Sequence, residues 1–110
     1  MVEIKKNNAI AMTRGDTLVT RVSILDMDGN EYVPVETDKI RFALKRSYND
    51  SEVLIYKEIP YDTMILRVDS EDTKELQQPG VYVYDIQITF TDGTVSTFIS
   101  GKLKLIEEVE

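Results

Sequence analysis

Oxygen-bearing side chains stand at alternate positions in Asp26-Met27-Asp28-Gly29-Asn30-Glu31, a spacing with which a loop can wrap a hard cation such as calcium. The stretch departs from the EF-hand pattern: glycine comes fourth rather than sixth, and the place of the bidentate glutamate is taken by Thr37. A hairpin turn is expected there. Arg14-Gly15-Asp16 is the tripeptide that integrins read, and it equally suits a turn closed by glycine before the next strand, which is the expectation here. Asp69, Glu71 and Asp72 form the densest carboxylate group. A glycosidase needs such carboxylates about 5 to 9.5 Å apart across a cleft, whereas Asp69 or Ser70 followed by acids is also how a short helix is capped. The capping turn is expected.

The chain contains no histidine and no cysteine, so Ser96, Thr97 and Ser100 cannot be activated as members of a histidine triad. Disulfides, thiolate chemistry and Cys or His zinc sites are excluded by composition, and neither phosphate-loop glycine pattern occurs. No catalytic, cofactor-binding or metal site is expected. Six tyrosines, with no tryptophan, are the main side chains left for recognition. Tyr48, Tyr56 and Tyr61 could form a platform for sugar rings.

The elements that must hold these residues read as strands. In Val81 to Phe90 every even position is apolar or aromatic, a period of two. The same alternation runs through Leu18 to Ile24, Ile40 to Leu44, Met64 to Val68 and Val95 to Leu105, with further strands expected at Ala9 to Thr13 and Glu52 to Ile59. Turn residues punctuate the runs, and Asp92-Gly93 predicts a hairpin of the primed type. The only helical signal is the stretch Ser70 to Leu76, a turn or two at most. The fold expected is all-β: one immunoglobulin-like antiparallel β-sandwich of about seven strands over residues 1–110, with one short helical turn.

Within it, Tyr82 follows Gly80 by two, the spacing of an immunoglobulin tyrosine corner, so its hydroxyl should bond back to backbone near Thr73 or Leu76. Alternation also predicts that Ile86→Ala or Phe42→Ala costs about 2 to 5 kcal/mol. Asp85→Ala and Gln87→Ala should cost under roughly 0.5 kcal/mol as outward positions.

Charge narrows the partners. With 13 basic and 20 acidic groups in 110 residues the net charge is −7, and residues 51–110 hold five basic against twelve acidic groups. Such a field repels phosphate backbones, so no nucleic-acid partner is expected. No uncharged run approaches the roughly 20 residues of a membrane span, so no membrane partner is expected. The first residues lack a secretory h-region, and the missing cysteines suit synthesis in a cytoplasm.

The order of motifs, from Thr13-Arg14-Gly15-Asp16-Thr17 through Asp26-Met27-Asp28-Gly29-Asn30, the charged strand Asp38 to Lys45 and the segment Asp69 to Leu76, then Gly80-Val81-Tyr82-Val83-Tyr84-Asp85-Ile86-Gln87 and Thr91-Asp92-Gly93, resembles immunoglobulin-like structural modules of phages and prophages. In particular it resembles the N-terminal domain of phage baseplate upper proteins. The resemblance implies a non-enzymatic part of a tail or baseplate, a virion component assembled in the bacterial cytoplasm. Its partners would be other tail or baseplate proteins, or itself as a homo-oligomer. Loops Arg14, Gly15 and Asp16, and Asp26, Asp28, Asn30 and Tyr32, are the candidate contacts. The alternative is a carbohydrate- or ligand-binding sandwich of a bacterial surface protein.

Overall fold

The computed structural model describes residues 2–4, 8–25, 28–76 and 78–107, the first of these segments as backbone only. Alternating sequence produces the strands β1 (Val2–Ile4), β2 (Ile10–Thr13), β3 (Leu18–Arg21), β4 (Ile24–Leu25), β5 (Glu31–Tyr32), β6 (Lys39–Lys45), β7 (Ile55–Ile59), β8 (Ile65–Val68), β9 (Gly80–Thr89) and β10 (Val95–Ile106), with helix α1 (Ser70–Lys74) between β8 and β9. One sheet has the order β1-β2-β10-β9-β6-β7, and β3 pairs with β8 in a second. The core lies between them. Phe42, Leu44, Ile86, Ile88, Leu103 and Leu105 from the larger sheet meet Leu18, Leu66 and Val68 from the smaller one, all essentially inaccessible to water. This is the expected all-β sandwich, immunoglobulin-like in that two strands face a sheet centred on β6, β9 and β10.

Several details differ from the sequence expectation. Ten strands form among the described residues rather than seven, because β1, β4 and β5 are too short for alternation to register. The single strand expected around Leu18 to Ile24 is two: β3 follows β8, but Val22 bonds to Met64, and β4 then leaves to pair with β5. Met64 is not a strand residue. Its φ of 55° and its bond from N–H to the Pro60 carbonyl make it the end of a turn. The sheet is not wholly antiparallel, since β2 runs parallel to β10.

The Asp92-Gly93 hairpin is also not of the primed type. Among non-glycine residues described, only Asn8 and Met64 have positive φ, so Asp92 cannot take the left-handed position that type I′ requires. Instead the Gly93 N–H bonds to the Phe90 carbonyl at 2.8 Å, and Gly93 itself, at φ 90°, closes the longer loop. In β10 the alternation breaks where the pairing with β9 shifts between Thr97 and Ile99, so Thr97 points outward and Ile99 inward.

Candidate functional site

The two candidate loops lie at opposite ends of the larger sheet. β9 is ten residues long, roughly 30 Å. Its start pairs with the end of β10 beside Thr13, and its end, Thr89, pairs with Lys39.

At the first end, Arg14 serves the helix. Its Nε donates to the Leu76 carbonyl at 3.0 Å and its Nη2 to the Lys74 carbonyl at 2.5 Å, which satisfies carbonyls that a helix terminus leaves open. The Gly15 N–H donates to the buried Thr73 hydroxyl at 2.8 Å, and the Asp16 N–H to the Thr13 carbonyl at 3.0 Å. At the other end of α1 the Asp69 N–H donates to the Asp72 carboxylate at 2.8 Å, and Lys57 of β7 pairs with the same carboxylate at 2.8 Å. The acids of this segment therefore build a cap and an ion pair. Tyr82 donates its hydroxyl to the Gln78 carbonyl at 2.5 Å, four residues upstream, rather than near Thr73 or Leu76. Arg46 lies 5.0 Å above its ring.

At the second end, Asp26 lies outside the described residues, and Asp28 and Asn30 are exposed in the β4–β5 turn. Among the described residues no group of three or more acids is placed to hold a metal ion. The organising residue is Asp38, only 3 % exposed. Its carboxylate accepts from the Tyr32 hydroxyl at 2.6 Å, the Val35 N–H at 3.0 Å, and the Thr91 N–H and hydroxyl at 3.0 and 3.2 Å. Burial alone would raise the Asp38 pKa, but these bonds outweigh it and hold the carboxyl below its ordinary value. The same bond to Asp38 is the chief cause that raises the Tyr32 phenol. Tyr32 also packs edge-on against Phe90 at 5.4 Å. Nothing in the sequence marked Asp38, because it opens a strand rich in charges.

The outer face of the larger sheet, away from β3 and β8, carries a further cavity. Cross-strand pairing sets its rows: Tyr56, Ala43, Asp85 and Ser100 in one, Lys45, Val83 and Lys102 in the next. From the β6–β7 connection Tyr48 and Val53 lie against this face, and the Tyr48 hydroxyl donates to the Gly101 carbonyl at 3.3 Å, whereas Arg46, Glu52 and Leu54 border a separate groove beside Tyr82. A cavity of about 200 Å³ remains, floored by Ala43 and Val83 and walled by Tyr48, Val53 and Tyr56. Val83 is only 8 % exposed although it points away from the core, whereas Tyr48 and Tyr56 are each 57 % exposed. Arg41 and Asp85 form a half-buried ion pair in the wall, and Lys45 adds a cation with no ion pair among the described residues. Asp85 is thus not the idle outward position that alternation suggests. Tyr61 stands apart from this cavity, against a neighbouring groove that shares Tyr56.

No helix among the described residues is long and apolar enough to cross a membrane. No protein-family model matches the chain, and no curated protein does. Among solved structures, the extracellular domain of a protein described as a hybrid two-component system from B. thetaiotaomicron matches with a TM-score of 0.39 and 11 % identity. That match covers 84 % of this chain and 15 % of the other, so the chain spans a small part of its length.

Proposed function

We propose that the chain is a non-enzymatic binding module whose working surface is the outer face of its six-stranded sheet. One observation supports the reading: on that face two half-exposed tyrosines and a lysine with no ion pair among the described residues surround an apolar floor, while Arg14 and Asp38 at the two ends of the sandwich serve the fold's own loops. Rigid aromatic rings beside a polar rim are how protein surfaces gain contact area at low entropic cost. The order of turn motifs suggests a phage or prophage tail or baseplate as the setting, where this face would seat the module against other tail or baseplate proteins or a second copy. A second reading, a carbohydrate- or ligand-binding sandwich of a bacterial surface protein, is favoured by Tyr48 and Tyr56 walling a single cavity.

The test is binding of immobilised protein to purified tail particles and to bacterial envelope polysaccharide. Tyr48→Ala and Tyr56→Ala should each weaken whichever binding occurs by about tenfold or more, while Arg14→Ala should not beyond its effect on stability. Loss with Arg14→Ala alone would move the working surface to the loop end and overturn the reading.

A further inference from the structure

We propose that the outer-face cavity is a subsite for a single six-membered sugar ring bearing a carboxylate, a uronate unit of an acidic polysaccharide. The inference rests on the outer face being the working surface and adds the chemistry of the ligand.

Size sets the first limit. At about 200 Å³ the cavity is smaller than the roughly 300 to 1,000 Å³ of sites for drug-sized ligands, so the cavity itself takes one ring, and the groove against Tyr61 adjoins it through Arg41 and Tyr56. Shape sets the second. A pyranose presents an apolar C–H face, which the exposed rings of Tyr48 and Tyr56 are suited to cover, and a rim of hydroxyls. The rim meets the Arg41 and Asp85 pair, whose guanidinium keeps further N–H donors and whose carboxylate keeps a second acceptor oxygen. Charge sets the third. The wall carries two cations, Arg41 and Lys45, against one anion, Asp85, in a chain whose net charge is −7. A neutral sugar would leave Lys45 without a partner, and a bare phosphate would leave both tyrosines without contact. A carboxylated ring uses all of them, with a charge-assisted bond at Lys45. Lys102 lies across β9 from Lys45 in the same row, two strand spacings or about 10 Å away, placed for the next acidic unit of a chain.

The experiment is an amide-resolved NMR titration of the whole chain with glucuronate, methyl glucoside and inorganic phosphate. Glucuronate should bind with a dissociation constant of about 1 mM, shifting the amides of Ala43, Lys45, Tyr56 and Val83. Methyl glucoside should bind about tenfold more weakly, and phosphate should leave these amides in place. Lys45→Gln should abolish the preference for the acid, and Tyr56→Ala should weaken both sugars; both positions are at the surface, so the variants should fold. Equal affinity for the two sugars in the wild type would overturn the acidic specificity and leave the face standing. Phosphate binding as well as glucuronate would reduce the site to a general anion contact and overturn the proposal. No shift with any sugar would also overturn it. In that case, loss of envelope or tail-particle binding in Tyr56→Ala would still uphold the outer face, and unchanged binding would remove both readings.

Discussion

The Tyr84 hydroxyl donates to the main-chain carbonyl of Asn8 at 2.5 Å, tying the segment before β2 to the middle of β9. Gly101, opposite Tyr84 on β10, makes the approach possible. A Cβ there would lie 2.6 Å from the Asn8 carbonyl oxygen and 3.1 Å from the Tyr84 ring and hydroxyl. Gly101→Ala is therefore expected to destabilise the fold by about 2 to 3 kcal/mol in urea unfolding. Because the nearest atom is backbone, adding Tyr84→Phe should not rescue it. A neutral Gly101→Ala would show that the segment before β2 and β10 part without cost.

Burial pushes the Tyr84 phenol up to about 12. A raised folded pKa means that the stability from the neutral phenol is complete below its unfolded value of 10.0 and is lost as pH climbs through the folded one. Phenolate absorbance in an alkaline titration should show late-ionising tyrosine, accompanied by unfolding. In Tyr84→Phe the latest component should vanish. Ionisation of every tyrosine near the ordinary value while the chain stays folded would contradict the buried placement.

Asp38 clips the β4–β5 hairpin region to the β9–β10 turn through four accepted hydrogen bonds. Asp38→Asn places an amide against these donors and is expected to cost about 2 kcal/mol or more near neutral pH, since bonds to a charged group contribute about 1.5 to 3 kcal/mol each. The Asp38 pKa is lowered, so its contribution is present above the unfolded value and is lost as pH falls through the folded one. Urea melts of wild type and variant should therefore converge on going from about pH 7 to about pH 3. An equal gap at both would mean that the carboxylate charge is not what holds the segments.

Along β9, Ile86→Ala should cost about 2 to 5 kcal/mol as a core cavity. Gln87→Ala should stay below roughly 0.5 kcal/mol. Asp85→Ala falls between, at about 1 kcal/mol, because it strands the half-buried Arg41. Chemical denaturation of the three variants checks the order, and equal values at 85 and 87 would remove the ion pair from the account.

Alternation was enough to place the core strands and their faces, because side chains at Phe42, Ile86 and Leu103 have no choice but one side of a pleat. It failed where tertiary partners redirect the chain. Nothing local in Leu18 to Ile24 says that β4 leaves β8 for β5, and the extra residue in β10 follows from its pairing with β9. Arg14, a loop candidate, and Asp38, which nothing in the sequence marked, illustrate the two kinds of blindness. Both look like exposed charges in sequence; Arg14 is held by carbonyls about 60 residues away, and Asp38 by Tyr32 and Val35 nearby and by Thr91, 53 residues on. The cavity joins tyrosines from the β6–β7 connection and β7 to Val83 of β9, so no window of sequence contains it. Tyr48 and Tyr56 were marked only by type.

The most direct measurement is photocrosslinking from a benzophenone residue placed at Tyr56, with the same residue at Asp92 in the opposite-end turn as control, in the presence of tail particles or envelope polysaccharide. Adducts should form from position 56 and not from position 92. Adducts from 92 alone would contradict the outer face as the working surface.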